Sequence, residues 1–456
     1  MYRDQAAALG PLSSFGPGGG PAPGKPLNIA VVGSGISGLS AAWLLGKRHR
    51  VTLFEADGRI GGHSNTVDVA GIPVDTGFIV FNEATYPNLT AMLRHLQVAS
   101  DPTEMSFAVS LSGGANEYSG SGLRGVFAQA RNLVRPRFWT MLRDLLRFYR
   151  EAPGDRAALG DESLDAYLTR SGYSAAFRED HLYPMAAAIW SSPALGIRDY
   201  PAASFIAFCR NHNLLQTGAR PPWHTVRGGS RTYVEALRSQ FSGTMRCGTT
   251  VHQVLRDAAG VTLVTDRGSE RVDQVVIAAH ADQALAILAE PDAAERDLLG
   301  KFAYSRNAAV LHSDVRLMPR RRKVWSAWNF LASTDPAASP AVTYWMNRLQ
   351  QLDTAVPMLV TLNPLTPPDP ALVHWQGTYL HPVFDSAAIA AQDQLWSLQG
   401  RRNTWFCGAY FGAGFHEDGL QAGLAVAEQL GGVMRPWHLA EPSDRITVTH
   451  QHLAPA

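Results

Sequence analysis

Leu27-Asn-Ile-Ala-Val-Val32, Gly33-Ser-Gly35-Ile-Ser-Gly38, Leu39-Ser-Ala-Ala-Trp-Leu-Leu45 and Arg50-Val-Thr-Leu-Phe54-Glu55 come in that order near the start of the chain. The first run is short and almost wholly apolar, as a strand buried on both faces of a parallel sheet must be. The glycines follow at once, then an apolar helical run, a second strand and an acid. Gly33 permits the tight turn. Gly35 removes a side chain where backbone must approach a pyrophosphate, and Gly38 lets helix and strand pack closely. Ile36 and Ser37 lie in the same glycine segment, ahead of a helix whose free N–H groups and positive dipole end suit phosphate. Glu55, followed by Ala56, is placed to accept from ribose hydroxyls. Glycines at this spacing alone say little; the complete order of elements makes a dinucleotide-binding βαβ unit.

Composition is compatible with that reading. The 456 residues are 46% apolar and 17% charged with a net charge of +1, an ordinary globular balance with no global field to draw nucleic acid. Cys209, Cys247 and Cys407 form no CxxC pair, so neither a disulfide framework nor a cysteine metal site is indicated. Lysine is confined to Lys25, Lys47, Lys301 and Lys323. Residues 1–26 read as a disordered tail without an apolar leader, and no stretch has the apolar length of a membrane span. The expected location is cytoplasmic, with peripheral contact to the inner face of the membrane as an alternative.

Asp57-Gly-Arg59-Ile-Gly61-Gly62-His63-Ser64-Asn-Thr66 places a second glycine pair just past Glu55, which points to a longer ligand crossing the domain. This segment resembles the Arg-x-Gly-Gly motif of the flavin-containing amine oxidase superfamily, which includes monoamine and polyamine oxidases, protoporphyrinogen oxidase and phytoene desaturases. The resemblance implies FAD, held non-covalently, with Arg59, Gly61, Gly62, His63 and Ser64 along its pyrophosphate and ribityl chain. His63 stands where the superfamily often has an arginine, which implies a polar contact beside the cofactor. The resemblance also implies that Val251, in strands after a helix at Arg231–Gln240, meets adenine through its backbone. Near the C-terminus, Thr404-Trp-Phe-Cys-Gly408 runs into Phe415-His416-Glu-Asp418-Gly419-Leu420, similar to the superfamily's last motif, where a helix N-terminus points at the flavin.

The fold class implied is α/β, amine-oxidase/protoporphyrinogen-oxidase-like. A discontinuous Rossmann-type FAD domain would take 27–95, 225–295 and 396–435. A mixed α+β substrate domain would take 96–224 and 296–395, leaving 436–456 as a C-terminal tail. Asp75-Thr-Gly77-Phe78-Ile79-Val-Phe81-Asn82, Met105–Ser110, Arg227–Val234 and Phe415–Gly419 together resemble the flavin oxidoreductase domain fused in front of plant cyclopropane fatty acid synthases, and its free-standing bacterial relatives. Gly77, Phe78 and Ile79 would lie at the cofactor.

That resemblance implies desaturation or oxidation of methylated or cyclopropane-modified fatty acyl chains by hydride transfer to the flavin. Alternatives are a carotenoid or polyprenoid desaturase or isomerase, and a flavin-bearing accessory protein partnered with a lipid methyltransferase. An amine oxidase is disfavoured, because Asn307 aligns where many superfamily amine oxidases carry a lysine and only Lys301 lies near. Trp190, Trp223, His224, Tyr304 and Asn307 are the candidates for the reacting site, with His312 and His381 as further proton carriers. Aromatic density in the substrate domain suits an apolar small molecule or a lipid acyl chain. No His, Asp or Glu spacing reads as a metal site. Arg137–Arg150 and Met318–Trp325 join positive charge to apolar neighbours and could touch a membrane, against the simpler reading of a solvated helix and a surface loop.

Overall fold

The computed structural model describes residues 25–190, 197–211, 214–215, 222–333 and 340–449. The first apolar run forms the strand Asn28–Val32, with Ala30 and Val31 fully buried at the centre of a five-stranded parallel sheet. Across that sheet the order is Thr244–Arg246, Arg50–Phe54, Asn28–Val32, Gln274–Ile277, Thr404–Phe406. Its members therefore come from three separated stretches of chain. The first helix runs Ile36–Leu45, starting earlier than its apolar run suggests, because the residues after Gly35 already turn helical.

The two ends of the chain lock together on one face of this sheet. Helix Ile36–Leu45 packs against helix His416–Gly431. Glycine makes the approach possible: a Cβ at Gly423 would lie 2.2 Å from the Ser37 carbonyl oxygen and 2.5 Å from Ser40 Oγ. Gly423→Val is accordingly expected to destabilise the fold by about 3 kcal/mol, since backbone cannot move aside as a side chain can; a urea midpoint close to wild type would refute this packing.

Buried carboxylates fix the remaining geometry. Glu417 accepts from the backbone N–H groups of Asn88 and Leu89, both at 2.9 Å, and so satisfies the positive end of helix Pro87–His95. Asp418 accepts from Phe415 N–H at 2.7 Å and from Arg445 Nε at 2.6 Å. Arg445 and Trp437, whose ring stacks on Trp43 at 6.1 Å, tie the segment after residue 435 onto the domain.

Beyond this domain a seven-stranded sheet runs Val373–Val383, Ala303–His312, Leu359–Leu362, Ala341–Trp345, Trp328–Leu331, Phe107–Leu111, Asn116–Ser119. A short sheet of Val80–Asn82, Trp223–Val226 and Ser100–Thr103 joins the two bodies. The amphipathic segment at Arg137–Arg150 lies in helix Pro136–Asp155, which buries Phe138, Met141 and Phe148.

Candidate FAD and substrate cavity

A cavity of about 1370 Å³ begins at the carboxyl ends of the parallel strands and continues under the seven-stranded sheet. Ligands of open α/β sheets bind at such strand ends. Gly33, Gly35, Ile36, Ser37, Glu55, Ala56, Gly62, His63, Gly77, Phe78, Ile79, Val251, Gly408, Phe415 and His416 all line it. Gly38, Arg59, Gly61, Ser64, Asp418, Gly419 and Leu420, the other residues of these motifs, are not among the residues lining it. Their roles are one layer back. A Cβ at Gly38 would lie 1.9 Å from the Gly33 carbonyl oxygen, and one at Gly419 would meet Ser37 Oγ at 2.8 Å. Gly61 N–H donates to Ser34 O, and Leu420 is core. The Arg59 guanidinium turns back to donate to the Gly62 carbonyl at 2.8 Å. Ser64 bonds Tyr233, and Asp418 caps its own helix.

The residues fit a dinucleotide. Helix Ile36–Leu45 has no side-chain cap and no acid in its first turn, so its free N–H groups face the cavity. A Cβ at Gly35 would meet nothing within 4 Å. Glu55 Oε2 accepts from Ser34 N–H at 2.9 Å, which holds the carboxylate at the strand end beside that helix terminus.

At the other end, rings gather. His63 lies 4.9 Å from Tyr379 and 5.6 Å from His381, centroid to centroid. His280 stacks on Tyr304 at 4.4 Å, and the Tyr304 hydroxyl accepts from Ala281 N–H at 2.9 Å. His416 stacks on Phe78 at 3.9 Å and meets the Tyr233 hydroxyl through Nε2 at 2.6 Å. Burial pushes His63 and His280 down to about 4, each helped by a neighbouring histidine. Burial likewise holds His381 and His416 at about 3, with His63 adding to both. These rings are neutral at physiological pH.

The reacting-site candidates divide. Trp223 and Tyr304 line the cavity. Trp190 ends helix Tyr183–Trp190, and its side chain lies outside the described residues. His224 is turned from the wall to pack against Phe81, because successive residues of a strand face opposite ways. Asn307 stands behind His381 rather than in the cavity. Ala308 N–H donates to Asn363 Oδ1, Asn363 Nδ2 donates to Asn307 Oδ1 at 2.7 Å, and Asn307 Nδ2 faces His381 Nδ1 at 3.1 Å. This chain makes Nδ1 an acceptor and leaves the ring proton on Nε2. His312 is remote from the cavity, bonded to Thr361 Oγ1 at 2.7 Å.

Tyr233 and His280 are not among the residues that the sequence points to. His280 has a usable signal, since it directly follows a parallel strand. Tyr379 belongs to the aromatic density of the substrate domain, but only the tertiary fold brings its strand beside His63.

The wall beyond the rings is apolar, with Val126, Leu142, Leu145, Tyr149, Met185 and Ile189 among its residues. The carboxylate there, Glu104, is paired with Arg348. No lysine is among the described lining residues, and Lys301 is exposed and paired with Asp297 at 3.1 Å. Among the described residues there is no His, Cys, Asp and Glu group that could hold a metal, and no helix long and apolar enough to cross a membrane.

A family model described as flavin containing amine oxidoreductase matches residues 36–313. A Mycobacterium tuberculosis protein named as a flavin-containing monoamine oxidase, AofH, is 27% identical over 272 residues, 58% of this chain and 59% of that protein. The match thus spans less than two thirds of that relative. The CLA-producing fatty acid isomerase from P. acnes superposes with a TM-score of 0.62 at 16% identity, covering 87% of this chain and 97% of its own. Wild-type putrescine oxidase bound to putrescine gives 0.65 at 15% identity, covering 89% and 98%. At such identities these two structures show the fold alone.

Proposed function

Because the chain belongs to the flavin-containing amine oxidoreductase family, and is an FAD-dependent oxidoreductase, we propose that it oxidises or desaturates a modified fatty acyl chain lying in the apolar half of the cavity. The observation that carries this reading is the wall itself. A buried protonated amine is paired with a free carboxylate to offset its lost hydration. Here Glu104 is neutralised by Arg348, and the wall around it is apolar, with aliphatic Leu142, Leu145 and Ile189 beside aromatic Tyr149 and Trp328. The structural neighbours include both a fatty acid isomerase and a diamine oxidase, so the fold accommodates either substrate and the lining must decide.

Gly33, Gly35 and the helix N-terminus after them would hold the pyrophosphate, Glu55 the ribose and the Val251 backbone the adenine. The N-terminus of helix His416–Gly431 would face the flavin end, where its dipole favours negative charge. When bound, FAD supplies a two-electron acceptor. The chain's own contribution is position and dryness: apolar side chains, aliphatic and aromatic, would hold an extended substrate and exclude water. His381, oriented by Asn307, and His63 stay neutral, so each can donate an N–H or take up a proton without placing a fixed charge beside the substrate.

Anaerobic mixing of the flavin-loaded protein with candidate substrates tests the proposal. A methyl-branched or cyclopropane acyl lipid should bleach the visible flavin band, and putrescine or benzylamine should leave it unchanged. Bleaching by the amines alone would overturn the acyl reading. Bleaching by a polyprenoid alone would move the substrate to that class, and bleaching by none would favour an accessory role.

A further inference from the structure

We propose that residues 122–146, with the neighbouring loop 320–323, form a surface that docks the protein onto an anionic lipid bilayer. The surface is read from its own residues and does not depend on the identity of the substrate.

The apolar side of the argument is a concentration of exposed side chains. Leu123 and Val134 are 78% and 80% exposed, and Leu133, Trp139 and Leu146 are exposed as well. Of the other large exposed apolar residues of the described chain, only Met434 is more than half exposed. These are held in place rather than frayed. Trp139 Nε1 donates to the Leu133 carbonyl at 2.8 Å, and its ring packs against Phe127 at 5.5 Å. Trp139 and Leu146, two turns apart in helix Pro136–Asp155, lie on one face of it. The inward stripe of the same helix is already used, since it builds core and cavity wall. The outward residues have no such partner.

The charge is complementary to lipid phosphate. From Ser119 to Arg143 the sequence contains Arg124, Arg131, Arg135, Arg137 and Arg143 and no Asp or Glu. Arg137 pairs with Asp180, and Arg143 with Asp144. Arg124, Arg131 and Arg135 have no acidic partner among the described residues. Arg135 and Arg137 flank the positive end of helix Pro136–Asp155, whose first turn holds no acid. That arrangement opposes the helix dipole, so it does not serve helix stability. An external anion would relieve it.

A second segment converges on the same place. Buried Glu117 accepts from the backbone N–H groups of Arg320 and Arg321, pinning the basic loop. The turn Arg322–Val324 then packs against helix Gly122–Val126, which carries Leu123 and Arg124. Exposed apolar anchors ringed by arginine and lysine are what an interfacial surface needs, hydrophobic insertion adding to attraction by anionic headgroups. The inner faces of the same elements, through Val126, Leu142 and Leu145, line the cavity, so a docked protein would hold its apolar chamber against the bilayer.

Co-sedimentation of the full, flavin-loaded chain with vesicles tests this. Binding is expected to phosphatidylcholine mixed with phosphatidylglycerol, weakly to phosphatidylcholine alone, and to fall at high salt. Leu123→Asp combined with Val134→Asp should weaken binding to the mixed vesicles by about tenfold, while Met434→Asp, at an equally exposed apolar residue elsewhere, should not. Both sites are exposed, so the fold should persist, and an unchanged melting curve would confirm it. Equal sedimentation of wild type and double variant, equal loss with Met434→Asp, or indifference to anionic lipid would each overturn the proposal. So would a wild-type dimer that ignores vesicles and that the double variant dissociates, since the face would then cover a second copy. Flavin reduction by detergent-dispersed acyl substrate separates this result from the substrate proposal: a variant that keeps reduction but leaves the vesicles has lost docking alone.

Discussion

Gly35→Asp should yield a folded protein without flavin. Gly35 is the N-cap of helix Ile36–Leu45, with φ −61° and ψ 177°, a conformation open to any residue. The space beside it is clear, because a Cβ there would meet nothing within 4 Å. Aspartate is moreover among the best N-cap residues, typically worth ~1 kcal/mol over an uncapped end. On stability alone the chain should carry Asp, Ser or Asn at this position. Glycine leaves the helix uncapped and its N–H groups available, which favours a phosphate over the helix's own stability. An Asp carboxylate would occupy those N–H groups and sit beside the pyrophosphate charge. Two like charges ~4 Å apart near a protein surface repel by about 4 kcal/mol, roughly a thousandfold in affinity. Gly38→Ala should behave differently, since its Cβ would fall 1.9 Å from the Gly33 carbonyl oxygen and force the turn apart. It should lose flavin and melting temperature together. Absorbance of the purified proteins and thermal melts of the flavin-free forms separate the two variants. Flavin bound to Gly35→Asp at wild-type stoichiometry would rule out this assignment of the phosphate site.

The contrast between these glycines shows what was legible in the sequence. Gly33 and Gly38 announce their roles because a turn and a tight packing each demand glycine locally, and local geometry bears out both; Gly35 sits in open space, where only an approaching ligand would call for glycine. Strands Asn28–Val32 and Arg50–Phe54 are equally plain, since burial on both faces leaves no polar position to blur the pattern. The ring cluster was much less legible. Tyr379 reaches His63 only because strand Val373–Val383 pairs with Ala303–His312, a pairing between distant segments that carries no local signature. Asn307 was expected at the reacting centre from an alignment of one residue type against another. The tertiary fold instead gives it the task of orienting His381 through its amide. Asp418 lies in the motif that the sequence places at the flavin end, and the structure adds that its carboxylate accepts from Phe415 N–H and Arg445 Nε, a demand of the helix start that the motif alone does not announce. The amphipathic stripe of Arg137–Arg150 was visible, but periodicity reports that a face is apolar without saying what covers it. Most of that stripe faces inward, but Leu146 within it and Trp139 outside it are exposed.

Acidification should cost this protein stability steeply between pH 6.5 and pH 4. Five histidines contribute. Burial holds His63, His280 and His312 at about 4, and His381 and His416 at about 3, against 6.5 for an ordinary histidine. In that window the unfolded chain binds protons that the folded chain refuses, so unfolding gains free energy as pH falls. Each such histidine contributes about 1.4 kcal/mol per pH unit once its unfolded form is protonated. Asp75 acts in the opposite sense. Burial raises it to about 6 despite the hydrogen bonds it accepts from Thr66 and Ser230, so the folded chain gains a proton there before the unfolded one does. Burial raises Glu417 and Asp418 too. The histidines outnumber these groups and begin to titrate at higher pH, so the net slope is loss of stability with acid. Against a typical stability of about 5–15 kcal/mol, five such groups bring acid unfolding to roughly pH 5. His312 provides the cleanest test, because it is fully buried and apart from the cavity. Asp314 N–H donates to its Nδ1 at 3.1 Å, so Nε2 donates to Thr361, and neutral imidazole satisfies both contacts. His312→Gln removes one titrating group. Urea unfolding at several pH values should show its pH slope reduced by about 1.4 kcal/mol per unit relative to wild type, whatever the substitution costs at neutral pH. A wild-type urea midpoint that is the same at pH 7 and pH 5 would mean that these histidines take up protons in the folded state, and that the cavity is wetter than its geometry indicates.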